Sequence, residues 1–477
     1  VTFDGGSDIN ASLRPVSDKS KGIVKEIKVK ADTTGLTFNM YLDITSIATE
    51  LKDVSFRYEF YKGTTKVKEG NFSDTYLNSN TVDCSTNSTK HITLLTSESI
   101  STSNTNYTLY IWIDGANYVN PSTMMGKEFN FKLHADGEGA ALAKTAAQTI
   151  TELYNIASKT AITNNSITYN TAPSVSLMND RLGGTTTDLD GGNIRYYGTS
   201  PNNYIYFNCS DYSNQSSSTC ETWRIIGVFN GKLKIMRGSQ IGTYSWDNKN
   251  TSTGAESNSG KNDWTTARLM KLLNPSDYYT TDSNDNSLGQ SLYWNGASGK
   301  CYSEQNNATT NCDFTSTGIK NDTTRNIISE ETWNIGGWNT SQIYSNQFYR
   351  YERGTTVYSG RPTTWTGKIG LMYLSDYGYS ADLSKCTGTL YNYYNSTCMS
   401  NNWMKAIVTN KGGSYGWLLT PYSSVSYCAW AVGNNGGAYN DGSVSSTRYV
   451  VPTLYLASDI ALSSGDGSSS SPYTLSV

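Results

Sequence analysis

Trp417-Leu418-Leu419-Thr420-Pro421, then Tyr427-Cys428-Ala429-Trp430-Ala431-Val432, then Val450-Val451-Pro452-Thr453-Leu454-Tyr455-Leu456 form the stretch that decides the fold. These three apolar, β-favouring runs are separated by Gly/Asn turns and closed by Gly465-Asp466-Gly467 and Pro472-Tyr473. They read as the last strands of a compact β-rich domain. No catalytic chemistry stands among them, so the sequence speaks first about architecture and location.

Working outward, 477 residues exceed one ordinary core and imply two or three domains. The chain is 36% hydrophobic, 12% aromatic and 16% charged, and it is built from Tyr, Trp, Ser, Thr, Asn and Gly rather than Leu and Lys. That usage belongs to β-rich extracellular proteins. Net charge is -3 with both signs interspersed, which argues against nucleic acid or an anionic membrane as partner. No apolar run approaches the roughly 18 to 20 residues that span a bilayer. The chain opens on Val1-Thr2-Phe3, a strand-like start without a charged leader, which suggests a processed or trimmed chain with any signal peptide or anchor upstream.

The eight cysteines fall as Cys84, three close pairs (Cys209 and Cys220, Cys301 and Cys312, Cys386 and Cys398) and Cys428. Pairs about a dozen residues apart in polar loops read as disulfide staples, each contributing roughly 3 kcal/mol by closing a short loop. The alternative is eight reduced thiols. A zinc site is disfavoured because there is no Cys-x-x-Cys and the only histidines are His91 and His134, so neither a metal nor another cofactor is expected. The sequence leaves open whether Cys84 and Cys428 pair.

Residues 1–136 alternate strand-like runs with polar turns: Ile23 to Val29, Leu36 to Leu42, Val54 to Tyr61, Ile92 to Leu95, Tyr107 to Ile113 and Glu128 to His134. Short strands at this spacing, without a helical period, suggest an antiparallel immunoglobulin-like sandwich. Residues 137–163 follow as an amphipathic connector, with Leu142, Ala146, Ile150, Leu153 and Ala157 at helical spacing between Gly139 and Thr160. Residues 164–477 then read as one irregular α+β domain, with helices expected from Trp264 to Leu273, from Asp322 or Thr323 through Trp333, and from Asn401 to Val408. The fold class expected is therefore mainly β with α+β.

Several motifs carry a resemblance. They are Asn202-Asn203-Tyr204-Ile205-Tyr206-Phe207-Asn208-Cys209, Cys220-Glu221-Thr222-Trp223-Arg224-Ile225-Ile226-Gly227, Gly242-Thr243-Tyr244-Ser245-Trp246-Asp247, Leu269 to Pro275, Ser291 to Asn295, Thr364 to Tyr373, Trp417 to Pro421 and Val451 to Leu456. Together they resemble an uncharacterised domain family of surface-anchored or pilin-like proteins of Gram-positive gut bacteria. The resemblance spans nearly all of 167–477. It implies a fold related to C-type lectins and formylglycine-generating enzymes, preceded by an immunoglobulin-like module, and a fold of that kind implies no activity by itself. The family often carries Arg before the proline of its last long strand. Val451 stands there in this chain, so no guanidinium contact carries over.

No catalytic residue is assigned. Two histidines, both in 1–136, leave no Ser-His-Asp or Cys-His set in the large domain. Cys428 reads as a buried thiol rather than one of a reactive pair. Glu330 and Glu331 are adjacent and diverge on a helix. Asp188 and Asp190 lie in a turn that lacks the distal Glu of a calcium loop. The candidate ligand-facing residues are Trp430, Asn434, Asn435, Tyr439 and Asn440, in and before a Gly/Asn loop that the resemblance places near the ligand face; a hairpin turn without a ligand is the plainer alternative. Val1, Thr2 and Phe3 form a candidate assembly edge. The function expected is that of an extracellular, non-enzymatic subunit self-assembling into a surface filament or layer. The alternative is a singly anchored adhesin that binds glycan or a cell-surface protein.

Overall fold

The computed structural model describes residues 3–4, 9, 13–31, 36–83, 90–118, 121–136, 144–184, 187–249, 258–280, 289–409, 415–440 and 442–477. It is mainly β, with 37% strand and 18% helix in several sheets of largely antiparallel pairing and no barrel. The chain divides into Val1–Gln148 and Thr149–Val477. No described helix is long and apolar enough to cross a membrane.

The first unit has two five-stranded sheets. One runs Phe3–Asp4, Phe129–Asp136, Thr37–Ile47, Lys90–Ser99, Thr81–Asp83. The other centres on Thr105–Asp114, which pairs with Phe56–Lys62 on one side and with Ile23–Val29 and Pro15–Val16 on the other; Phe56–Lys62 pairs on to Thr65–Asn71. Alternation decides the faces. Along Phe129–Asp136 the residues Phe129, Phe131, Leu133 and Ala135 are buried while Asn130, Lys132, His134 and Asp136 are not. The inward residues of both sheets form one core with Met40, Leu42, Phe56, Tyr58, Phe60 and Tyr107, each large side chain contributing roughly 1.5–3 kcal/mol of burial. The expected strands are present: Ile23–Val29 has the bounds read from sequence, Lys90–Ser99 and Thr105–Asp114 are longer at both ends, and Thr37–Ile47, Phe56–Lys62 and Phe129–Asp136 begin one or two residues later and run further. A helix, Asp74–Asn80, also appears where none was expected. Ser73 caps it by accepting from the Tyr76 amide, and it buries Leu77.

The connector forms a helix over Ala146–Ile156, shorter than the stretch read from sequence, with Ile150 and Tyr154 buried; Leu142 lies outside the described residues. Thr145 and Gln148 cap it reciprocally.

The second unit is built on a nine-stranded antiparallel sheet in the order Thr160–Asn164, Ile167–Ala172, Leu177–Asn179, Ile194–Tyr196, Glu221–Phe229, Lys232–Arg237, Thr453–Tyr455, Ile369–Gly370, with Tyr204–Phe207 also pairing Glu221–Phe229. A bulge between Ile225 and Gly227 bends the central strand, and a Cβ at Gly227 would stand 2.1 Å from the Ile194 carbonyl oxygen. A second sheet holds Gly416–Pro421, Ala429–Val432 and Ala438–Tyr439 beside Thr447–Tyr449 and Thr243–Ser245. Of the three runs that opened the sequence reading, two are therefore neighbours here and the third lies in the larger sheet.

Two expected helices are corrected. Asp322–Asn326 is a short helix capped by Asn321, but Glu331–Asn334 is a strand paired with Thr364–Gly367, because burying Trp333 opposite Trp365 outweighs helical continuation. The run expected from Asn401 to Val408 starts only at Lys405 and runs to Thr409, and a separate short helix, Ser396–Ser400, precedes it. Asn402 stands between the two: its Oδ1 accepts from the Met404 amide and Ser380 Oγ, and its Nδ2 donates to the Tyr377 carbonyl. The Trp264 expectation shortens to Arg268–Leu273. Helices Ser345–Glu352 and Leu374–Tyr379 were not anticipated.

Candidate functional site

The hairpin joining Ala429–Val432 to Ala438–Tyr439 carries the Gly/Asn loop. Gly433 N donates to the Gly437 carbonyl, Gly436 N donates back to Gly433, and Gly436 has φ 83°, a conformation that favours glycine. From beneath, the buried Tyr377 hydroxyl donates to the Gly436 carbonyl at 2.7 Å. The loop is thus anchored rather than free. Asn434 and Asn435 are exposed at its tip, and Asn435 Nδ2 donates to the Tyr439 hydroxyl at 2.8 Å.

Beside it lies a 3-10 turn, Leu390–Tyr394, whose three-residue period separates two faces. Leu390 and Tyr393 are buried; Tyr391 and Tyr394 remain 36% and 45% exposed. The Cys386–Cys398 disulfide closes the loop that carries this turn. Tyr391 N donates to Ser341 O and Leu390 N to Ile343 O, fixing it from the other side.

These two segments, with Tyr415 from the residue before strand Gly416–Pro421, bring four tyrosines into a row. Ring centroids are 5.7 Å apart for Tyr391 and Tyr394, 5.8 Å for Tyr391 and Tyr439, and 5.9 Å for Tyr415 and Tyr439, all edge to face. At the far end the Arg448 guanidinium lies 5.2 Å from the Tyr415 ring centroid. Tyr391 and Tyr394 are exposed, Tyr439 and Tyr415 are half-buried, and the exposed Asn434 and Asn435 add hydrogen-bonding capacity at the margin. A surface of this composition stacks on apolar ring faces while pairing with hydroxyls.

The residues read from sequence divide accordingly. Asn434, Asn435, Tyr439 and Asn440 are at the surface. Trp430 is not: it is 1% exposed, packs on Phe348 and Tyr422, and donates its Nε1 to the Trp338 carbonyl, so it belongs to the core and is corrected from the ligand-facing set. Tyr391, Tyr394 and Tyr415 were missed, although Tyr391-Asn392-Tyr393-Tyr394 between two cysteines was a legible signal. Cys209–Cys220, Cys301–Cys312 and Cys386–Cys398 are disulfide-bonded, Cys428 is buried and Cys84 lies outside the described residues. Phe3 pairs with Ala135 at a sheet edge, while Val1 and Thr2 lie outside the described residues. Asp188 and Asp190 close a turn, Asp190 N donating to Asp188 Oδ1. Glu330 accepts from the Tyr278 hydroxyl and Glu331 pairs with Lys232.

A second constellation was also missed. Arg195 donates Nε to Asp180 at 2.6 Å and Nη1 to Asp376 at 2.7 Å, and Lys234 Nζ reaches the other Asp376 oxygen at 2.6 Å. All four are at most 1% exposed. Burial pulls the Lys234 ammonium down to about 8 despite Asp376 beside it. Burial alone would raise the Asp376 carboxyl, but Lys234 and Arg195 hold it at about 2. Asp180 also accepts from Leu182 N and Asn193 N, bracing a left-handed turn in which Arg181 and Leu182 have φ 49° and 48°. The cluster neutralises itself inside the fold and presents no open face to a substrate. Its sequence signal was a charge in the middle of an apolar strand, as in Ile194-Arg195-Tyr196 and Leu233-Lys234-Ile235.

Comparison with protein-family models, with curated proteins and with solved structures finds no match to this chain.

Proposed function

We propose that this chain is an extracellular bacterial surface protein whose larger unit displays an aromatic face that binds glycan. Three disulfides fit an oxidising compartment. The observation that carries the binding role is the row Tyr394, Tyr391, Tyr439 and Tyr415, the first two exposed on a disulfide-closed loop and the third half-buried on an anchored hairpin beside Tyr415. Preorganised tyrosines lose little conformational entropy on binding, which is why rigid aromatic surfaces serve as recognition faces. On this proposal the first unit is an immunoglobulin-like module, the second is a C-type-lectin-like display domain of the surface-protein family its motifs resemble, and the chain binds rather than catalyses.

A glycan array probed with the wild-type chain and with Tyr391→Ala and Tyr439→Ala tests this. Loss of one central aromatic anchor is expected to cost about 2 kcal/mol, roughly thirtyfold in affinity. Glycan binding that both variants retain in full would remove the tyrosine row from the site; binding only to a protein ligand would move recognition to that class. Filament assembly, the other expectation, would use the sheet edge of which Phe3–Asp4 is the described part. Electron microscopy of the purified protein at high concentration separates the two: polymers support assembly, and monomers alone count against it.

A further inference from the structure

The only two histidines among 477 residues face the same side of one sheet. His134 lies on Phe129–Asp136 and His91 on Lys90–Ser99, the two strands flanking Thr37–Ile47; Asp43, on that middle strand, pairs in register with His91. One ring nitrogen of each histidine and one carboxylate oxygen of Asp43 lie within 4.8 Å of one another. His134 Nδ1 stands 2.8 Å from both Asp43 oxygens. Tyr41 stacks on His134 at 4.6 Å and packs against His91 at 4.5 Å, restricting how either imidazole can turn.

The cluster shows an unmet need. His91 Nδ1 is buried and has no hydrogen-bond partner, which ordinarily costs about 1–3 kcal/mol. The neighbouring Tyr41 hydroxyl is engaged elsewhere, donating to Asp136. Three ligand atoms each about 2.1 Å from a tetrahedral Zn2+ stand roughly 3.4 Å apart. The observed separations, from 2.8 Å to at most 4.8 Å, bracket that spacing.

We propose that Asp43, His91 and His134 form a binding site for one divalent transition-metal ion of the Zn2+ class. Two imidazoles and one carboxylate select such ions over Ca2+ and Mg2+, which prefer all-oxygen sets. Three protein ligands leave a coordination position for water or for a donor from another molecule. Binding an ion here replaces the His134–Asp43 hydrogen bond. This site belongs to the first unit and is independent of the tyrosine row.

Because the chain has only two histidines, imidazole NMR of the full chain with and without Zn2+ reads the site directly. Adding one equivalent of Zn2+ to chelator-treated protein is expected to shift both imidazole signals together and to saturate at 1:1, with Ca2+ producing neither shift. Isothermal titration should show His134→Gln and Asp43→Asn each weakening Zn2+ at least about tenfold. The wild-type NMR titration stands even where a variant folds poorly. Unshifted histidine signals at saturating Zn2+, a shift in one histidine alone, or 1:1 binding that survives His134→Gln would each overturn the proposal.

Discussion

The two units solve the problem of a stable interior in different ways. In Val1–Gln148 the interior is apolar and periodic: inward residues of two sheets meet, and polar residues alternate outward. In Thr149–Val477 the interior includes charge and amide. Arg195, Lys234, Asp180 and Asp376 satisfy one another, Glu352 accepts from the Ser375 amide and Thr420 Oγ1, and buried asparagines pair with carbonyls of irregular backbone. Asn203 serves Ile225, Asn208 serves Gly318, Asn274 serves Ile369, and Asn262 serves Tyr422, Val425 and Cys428. Where backbone leaves regular ladders, its carbonyls need other donors, and asparagine supplies them. A loop-rich domain can hold rigid surface loops by this means, and the tyrosine row depends on that rigidity.

The sharpest way to break the contrast is Asp376→Asn. It leaves Arg195 and Lys234 buried without their shared counter-charge, an expected loss of about 3–5 kcal/mol. Hydrogen exchange should show lost protection in Thr149–Val477 and none in Val1–Gln148, whereas Leu42→Ala should do the reverse at about 2–5 kcal/mol. Equal loss in both units for either variant would erase the distinction.

Replacing Cys386 and Cys398 together by serine is expected to cost roughly 3 kcal/mol through loop closure, and to weaken glycan binding by freeing Tyr391 and Tyr394. Denaturant midpoints and binding isotherms read the two effects separately.

Acid provides a smaller test. The Asp376 carboxyl is held at about 2 in the fold against 3.8 as its ordinary value, so its stabilising contribution is complete above about pH 4 and disappears as pH falls towards 2. The loss is on the order of 2 kcal/mol. It should be missing in Asp376→Asn when stability is followed from pH 5 to pH 2.

Smallest is Ser73→Ala in the first unit. Losing this cap should cost about 1 kcal/mol, seen as a shift in denaturant midpoint with unchanged slope.

The first unit was legible because its signal is local: Tyr107-Thr108-Leu109-Tyr110-Ile111-Trp112-Ile113 declares a strand by alternation, and it is one, within Thr105–Asp114. The disulfides were legible from spacing in the same way. Trp430 misled because its neighbourhood in sequence is a turn while its neighbourhood in space is Phe348 and Tyr422. Strand Glu331–Asn334 was hidden because its partner lies about thirty residues on, and no local period announces a pairing that Trp333 and Trp365 decide. The tyrosine row draws on three separated segments, the buried charge cluster on two strands, a turn and a helix, and the His91–His134–Asp43 cluster on three strands; only the fold brings each together. Sequence revealed the side chains, and topology revealed the sites.

The most direct measurement is the affinity of the best glycan from the array for the wild type and for Tyr391→Ala/Tyr394→Ala/Tyr439→Ala, with hydrogen exchange recorded on both. Abolished binding with unchanged amide protection is the result expected of a displayed aromatic face. Full affinity in the triple variant, at equal protection, would contradict it.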